Sequence, residues 1–482
     1  MSGTPRSDPA AGSDASTGGP GWRDQGNQAI LFNLLWAIGT LAHVLRKTRP
    51  NEHAVWLLII AAVLVLDRPS SRLRLGMLAT TYLVYFWTTM PWIGNHAHMM
   101  AFVNLGILAA LAVDWVRRRG GACGGWPLPV RYIRLTVLLS YGAAALAKLN
   151  SGFFAVETSC AVGMAYKALA ALGVAPGSLP AGVEAVLPYG IAGLELLIPV
   201  LLFVPGGRRT GIVVVVVFHF IMSFSPSATA IDFTLVLLAL VFLFFPQPTA
   251  SRVFADAGRL PGRLIRPLVA KRTALFIVAA FVLAVAQWSG KASLLDNRNW
   301  ILLAVATLVL GPLFLHYAMK TPSFRFPLWR PGPERGTPLV VGIAFGLLVA
   351  IQLANCAAPY LGSKNLGTFT MYSNLRTEGG VSNHFLIPRW PGKARQDDLV
   401  EIIDSSSEWL CGIRDVGQLI SWHELRRILV DYPDASLTYR RGGVETRLER
   451  ARDNPELVRL DPVAHRFIGI RLYDPRNDTC RH

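Results

Sequence analysis

About eleven apolar stretches recur along this 482-residue chain, several of them close to the ~20 residues that a membrane-spanning helix needs. The stretches are continuous rather than alternating, which excludes a closed β-barrel. Only 16% of the residues are charged, against about 25% in soluble domains. The sequence therefore predicts an all-α polytopic membrane protein in contact with the lipid bilayer, with spans at residues 28–46, 53–66, 75–93, 97–116, 130–149, 185–205, 210–225, 228–247, 273–292, 299–318 and 337–355.

Composition divides the chain into four predicted regions. Residues 1–27 are rich in Gly, Ser, Pro and Asp, without an apolar signal segment, and are predicted to form a disordered cytoplasmic tail. Residues 28–250 form a first transmembrane domain, and residues 251–358 combine a basic loop with additional transmembrane helices. Residues 359–482 are polar and mixed, which predicts a small C-terminal α+β domain, with a helix at 422–429 and strands at 435–440 and 467–472.

The chain carries a formal net charge of +17, and its basic residues lie in the loops between apolar stretches. We find no nucleic-acid motif, so this charge indicates membrane topology and contact with anionic lipid. Arginine-rich loops fall on one side of the predicted bundle, which should face the cytoplasm. With eleven spans the N-terminus is cytoplasmic and the C-terminal domain is extracytoplasmic, in a multi-pass protein of the inner or plasma membrane.

Two charged residues lie inside predicted spans. Lys148 ends the apolar run at 130–149, and a lysine at a helix centre costs roughly 2.5–3.5 kcal/mol on insertion scales. Its side chain either snorkels to the interface or has a function. Glu195 lies about midway in its span, where it is either a hydrogen-bonded carboxyl that packs helices together or a functional group.

Several polar residues are predicted to reach the same depth at the outer ends of their spans. They are Asn95, His96 and His98, then Lys148, then His219 and Ser223. This convergence indicates one site, and the alternative is that each residue merely caps its own helix at the interface. His43 lies near a predicted helix end, and its position does not indicate a function.

The five cysteines show no CxxC string, and no Cys/His set has metal-ligand spacing, so the sequence predicts no metal site. Cys411 and Cys480 are the two cysteines of the polar domain. Since that domain is predicted to lie outside, a Cys411–Cys480 disulfide is the hypothesis, and two unpaired thiols are the alternative.

Three strings agree in order and spacing with a known family. Tyr141-Gly-Ala-Ala-Ala-Leu-Ala-Lys148-Leu-Asn150 resembles the Tyr-Phe-x-Ala-Gly-x-x-Lys-Leu-Asp string of the vitamin K-dependent γ-carboxylase-like family, which shares the horizontally transferred transmembrane (HTTM) domain. Asn95-His96 and Phe218-His219-Phe220-Ile221-Met222-Ser223 resemble two further family segments, and Glu195 falls where the family has an acidic residue. The resemblance covers about residues 28–250.

The resemblance implies a membrane enzyme, a lyase-type carboxylase and epoxidase. Lys148 would be the base that deprotonates reduced vitamin K or another isoprenoid quinone, with His219 as a supporting catalytic residue. Asn95, His96 and Glu195 would form the cofactor site. O2 and CO2 would be co-substrates, no metal would be needed, and a protein or peptide would be the substrate on the outer face. The general chemistry is sound, because burial lowers the pKa of an amine and makes it a useful base.

The sequence also departs from the family. Asn150 replaces the family's Asp, and extra spans with a short domain replace the large lumenal portion of the animal carboxylases. A non-catalytic transporter or a lipid- or quinone-binding scaffold is therefore the alternative. Within the C-terminal region, Asn374, Arg376, Glu378 and His384 are expected either to form a polar cluster facing the membrane site or to lie in a solvated loop.

Overall fold

The chain folds mainly as helices that pack side by side, with a small sheet near its C-terminal end. The computed structural model describes residues 22–47, 53–91, 93–119, 129–170, 172–223, 230–259, 306–322, 324, 339–388, 392, 394–459, 461, 463–475 and 480. Most of the predicted tail lies outside the described residues, and the first helix begins within it, at Trp22. The predicted span at 273–292 also lies outside them.

In chain order the described helices are α1 (Trp22–Lys47), α2 (His53–Asp67), α3 (Arg72–Thr89), α4 (Asn95–Arg119), α5 (Val130–Ala147), α6 (Ser151–Phe154), α7 (Cys160–Ala170), α8 (Ala181–Phe203), α9 (Arg208–Ser223), α10 (Ile231–Phe242), α11 (Pro248–Arg259), a π-helical turn (Ala306–Leu310), α12 (Gly311–Lys320) and α13 (Leu339–Ala357). The C-terminal domain adds α14 (Glu408–Asp415), α15 (Trp422–Asp431), α16 (Pro455–Val458) and α17 (Ala464–Phe467).

Among the described residues, four helical segments are long and apolar enough to cross a bilayer: Gly26–Leu45, Asn95–Arg117, Val130–Ala147 and Ala181–Phe203. The predicted count of about eleven spans is not supported. Helices such as α10 are apolar but short, and at 1.5 Å per residue its 12 residues reach only about 18 Å of a hydrocarbon core of about 30 Å. The apolar run of α10 is therefore explained by its burial in the bundle and not by its length.

Helices α1 and α10 pack closely at a crossing that requires glycine. A β-carbon added to Gly39 would lie 2.9 Å from the Cα atom of Val236, so a larger residue would force the helices apart. His43 lies one turn after Gly39, and Asp232 lies one turn before Val236. The crossing therefore sets these two polar side chains next to each other.

The C-terminal domain contains a four-stranded antiparallel sheet in the order β2-β1-β3-β4, formed by Leu399–Ser405 (β1), Leu419–Ser421 (β2), Leu437–Arg441 (β3) and Val444–Leu448 (β4). Helices α14 and α15 pack against it around a separate apolar core. The predicted helix at 422–429 and the predicted strand at 435–440 correspond to α15 and β3, which confirms both.

The predicted strand at 467–472 is wrong. Helix α17 ends at Phe467, and the next residues make hydrogen bonds outside the sheet. The amide of Ile470 donates to a carboxylate oxygen of Glu424 at 2.8 Å, and the carbonyl of Gly469 accepts from the amide of Asn365 at 3.1 Å. Gly469 and Ile470 are buried by these contacts with residues distant in sequence, not by strand pairing.

Residues 366–388, which we call the cap segment, connect this domain to the bundle. Glu378 of the cap segment is buried, and one of its carboxylate oxygens lies 3.0 Å from Nε of Arg471. Burial alone would raise the pKa of Glu378, but the Arg471 guanidinium and the Thr377 amide hold that pKa below its usual range.

Acidification is expected to weaken this connection. The folded-state pKa of Glu378 is depressed, so its ionised form contributes stability above the ordinary value near 4.5, and this contribution is lost as the pH falls through the folded-state value. Thermal unfolding of the wild type should therefore show a lower transition temperature as the pH falls from 7 to 3. A Glu378→Gln variant should lose part of this dependence, and an unchanged pH profile in that variant would contradict the assignment.

Candidate functional site

Lys148 and Glu195 form a buried ion pair. The Nζ atom of Lys148 lies 2.7 Å from Oε2 of Glu195, and only 2% of the lysine is exposed. Nζ also donates to the carbonyl of Met371 at 2.9 Å and lies 5.7 Å from the ring centroid of Phe153, within the range of a cation–π contact. The lysine therefore points inward and does not snorkel.

The positions of Lys148 and Glu195 follow from the local sequence of their helices. Lys148 is the C-cap of α5, where the chain turns directly into the short helix α6, so its side chain stays beside the bundle. Glu195 lies four residues before Pro199 within α8. Because proline has no N–H, the Glu195 carbonyl lacks its usual intrahelical donor. The ion pair thus joins a helix end to an interrupted point of a neighbouring helix.

The cap segment covers the ends of α4 and α5. The amide of Phe369 donates to the side chain of Asn95 at 2.7 Å, and a ring nitrogen of His384 lies 2.9 Å from the Leu146 carbonyl. The side chain of Asn374 accepts from the Cys160 amide at 2.7 Å. The alternative of an ordinary solvated loop is therefore wrong for Asn374 and His384, which are buried against the bundle.

Three non-glycine residues of the cap segment have positive φ angles: Phe369 at 59°, Tyr372 at 48° and Asn374 at 53°. Such conformations cost of order 1–3 kcal/mol each and persist only where surrounding contacts impose them. Here the contacts with Asn95, Lys148 and the Cys160 amide provide that constraint. The strained stretch is the part of the chain that reaches the lysine.

Asn150 holds the cap segment to the end of α5. It is fully buried, and its amide nitrogen donates to the carbonyls of Ala147 and Ser373 at 2.7 and 2.5 Å. Its oxygen accepts from the Phe153 amide and from the side chain of Asn383 at 2.9 and 3.2 Å. Every hydrogen-bonding position of the side chain is used, and an aspartate at this position could not make the two donated bonds.

An Asn150→Asp variant is expected to be less stable by about 2–4 kcal/mol, because a carboxylate cannot donate and two buried carbonyls lose a donor. Thermal unfolding in detergent measures the effect. Asn454→Asp is the matched control, because the Asn454 side chain only accepts from the Glu456 amide at a helix N-cap, which aspartate does equally well. Equal stability of both variants would contradict this role for Asn150.

His219 pairs with Tyr141 rather than with the lysine. The tyrosine hydroxyl and Nε2 of His219 are 2.7 Å apart, and both residues are buried. Nδ1 of His219 is buried and has no hydrogen-bond partner among the described residues. Tyr141 and Lys148 are seven residues apart, so they lie on the same face of α5, about 10 Å apart along its axis.

His96 lies in a cluster that the sequence does not predict. Its Nε2 atom is 3.0 Å from Oδ2 of Asp232 and 3.2 Å from Nδ1 of His43, and His43 Nδ1 is 3.1 Å from the same carboxylate oxygen. The three residues are far apart in sequence, on α4, α10 and α1, so no spacing rule could find them. The sequence feature that comes closest to indicating the cluster is Gly39, where α1 crosses α10.

The five predicted site residues therefore do not all contact one another. They make four separate sets of contacts. Lys148 and Glu195 are in direct contact, Asn95 binds the cap segment, His96 joins His43 and Asp232, and His219 binds Tyr141. The ring of Phe233 lies 5.8 Å from that of His96 and 5.1 Å from that of His219, so one aromatic residue contacts both groups.

A disulfide links Cys160, at the start of α7, to Cys480, with 4.8 Å between their Cα atoms. The predicted Cys411–Cys480 bridge is wrong, and Cys411 is a free thiol whose sulfur donates to the Ser405 carbonyl. Cys160 lies in a moderately apolar stretch far from the polar domain in sequence, so composition gives no reason to pair it with Cys480. The bond ties the C-terminal end of the chain to the region beside Lys148.

Comparison of the chain with family models, with characterised proteins and with solved structures gives no match.

Proposed function

We propose that this chain is an integral membrane enzyme that uses a reduced quinone-type lipid, with Lys148 as the base for oxygen-dependent chemistry of the carboxylase and epoxidase kind. The observation that carries the proposal is the burial of Lys148 against Glu195 beside a strained cap segment. An ionised Glu195 in contact favours the ammonium form of Lys148, which opposes a role as base. In this proposal Glu195 takes the ammonium proton across the 2.7 Å contact and leaves the neutral amine that a base requires.

The remaining polar groups support a site for a ligand with oxygen atoms. Tyr141 and His219 lie on the same side of α5 as the lysine, and Nδ1 of His219 has no protein partner among the described residues. A quinol oxygen is a suitable partner for such a nitrogen, whether the nitrogen donates or accepts. In this proposal Asn95 and Glu195 also form part of the cofactor site, as the family resemblance implies.

The test is lipid mass spectrometry of the protein purified in mild detergent. We expect a bound isoprenoid quinone in the wild type and a reduced amount in His219→Ala, because that variant removes a predicted ligand contact. Lys167→Ala, which alters an exposed lysine on α7, is the control and should keep the lipid. If the wild type carries no quinone and does not bind added vitamin K hydroquinone, the proposal fails.

One observation favours the alternative of a non-catalytic scaffold. The Lys148 amine is already held by Glu195, by the Met371 carbonyl and by the Phe153 ring. A lysine so placed can serve purely to join α5, α8 and the cap segment. A scaffold would bind quinone without consuming O2 or forming the epoxide, so measuring O2 uptake with a reduced quinone separates the two functions.

The proposed topology places the N-terminus in the cytoplasm and residues 359–482 outside. The arginine asymmetry supports it, and so does the Cys160–Cys480 disulfide, since such bonds persist in oxidising compartments. Alkaline phosphatase fused after residue 482 should be active, and a cytoplasmic fluorescent reporter at the same point should be dark. The reverse pattern would contradict the topology.

A further inference from the structure

We infer that His43, His96 and Asp232 form a binding site for one divalent first-row transition metal ion. Three helices contribute one ligand each, two imidazoles and one carboxylate. Two histidines with one carboxylate and open positions are typical of non-haem Fe(II) sites and also suit Zn(II). This inference does not depend on the quinone proposal.

The distances between the three ligand atoms fit a common ion. Bonds of about 2.0–2.2 Å place two ligands of one metal about 3.0 Å apart at 90° and about 3.4 Å apart at the tetrahedral angle. The three separations here are 3.0, 3.1 and 3.2 Å. One ion can therefore lie at bonding distance from all three atoms.

Charge and burial favour the same conclusion. His43 and Asp232 are fully buried, and a buried carboxylate is costly unless a positive charge compensates it. A divalent ion provides that charge at the point where the three atoms converge. The competing arrangement is a protonated histidine beside the carboxylate, which needs no metal ion.

His96 is the least buried of the three residues. The side chain of His96 is 11% exposed, whereas those of His43 and Asp232 are fully buried. Three protein ligands leave at least one coordination position for water or a small molecule, as in catalytic rather than structural metal sites. In this inference His96 is a metal ligand, whereas the family resemblance implies that it contacts the quinone.

The test is elemental analysis of the full chain, purified in detergent without chelators. We expect about one equivalent of a single divalent metal per chain. His43→Ala and Asp232→Asn should weaken binding by roughly 100-fold or more, since loss of even a supporting residue costs 10–100-fold in metal affinity. His219→Asn and Asn95→Ala should keep the metal, because neither residue is a ligand. If the His43→Ala and Asp232→Asn variants both hold as much metal as the wild type, the inference is wrong.

If a ligand variant does not fold, metal binding is tested instead by reconstituting the wild-type protein. Wild-type protein is stripped with a chelator and titrated with Zn(II), with Co(II), and with Fe(II) under anaerobic conditions. We expect at least one ion to raise the melting temperature, and Co(II) to give visible ligand-field bands. The titrations also show which metal the site prefers. If folded wild-type protein holds no metal as purified and responds to none of the three ions, the cluster is an imidazolium–carboxylate pair and the inference is wrong.

Discussion

Replacing Lys148 with methionine is expected to destabilise the folded protein by about 3–5 kcal/mol, because the variant leaves a buried carboxylate without its partner. Glu195→Gln should be destabilising for the converse reason. The double variant Lys148→Met with Glu195→Gln should recover much of the loss, since no isolated charge then remains. Unfolding in detergent measures all three, and Lys167→Met, at an exposed site, should change stability by less than about 0.5 kcal/mol.

Catalysis is tested with a different variant of the same residue. Lys148→Arg keeps a positive charge beside Glu195, but a guanidinium stays protonated and cannot act as a base. Turnover of a reduced quinone should fall by about 100- to 10,000-fold, the range that general-base catalysis supplies. Full turnover in a folded Lys148→Arg protein would show that the lysine only joins helices.

Loss of the Cys160–Cys480 disulfide should have the second large effect. Cys160→Ser is expected to cost about 2–5 kcal/mol, because the bond closes a loop with a sequence separation of 320 residues. Cys480→Ser should cost the same, and the double variant should cost no more than either single variant. Cys411→Ser is the control, since that thiol is free.

Thiol labelling of the denatured protein gives an independent measurement. Cys160 and Cys480 should react only after reduction, whereas Cys411 and Cys356 should react without it. Labelling of Cys160 and Cys480 before reduction, in protein taken from its own membrane, would contradict the bond.

Sequence reasoning showed which charged residues need a compensating partner, but not which residues provide it. Lys148 and Glu195 stood out because a charge in an apolar run must be compensated, and this cost is visible in the sequence. Their contact with each other depends on how α5 and α8 pack, which periodicity does not specify. The His43 cluster depends on a close helix crossing at Gly39, and glycine is frequent in membrane helices, so one glycine does not mark a crossing.

The C-terminal region shows the same limit. The helix at α15 and the strand at β3 were predictable because each has a regular pattern and ends at clear turn residues. Residues 467–472 do not form a strand, since Gly469 and Ile470 are hydrogen-bonded to Asn365 and Glu424, which lie elsewhere in the sequence. The pairing of Cys480 failed for the same reason, because its partner lies in a different region.

The cap segment has a consequence for how the protein is made. Lys148 and Glu195 are only 47 positions apart and can meet soon after α8 is inserted, but Met371 leaves the ribosome 223 residues after Lys148. Cys480 follows later still, at the end of the chain. During synthesis the lysine pair therefore stays without its Met371 contact until the cap segment has been made. A chain truncated before the cap segment would leave this pair uncovered, so it should be less stable than the full chain.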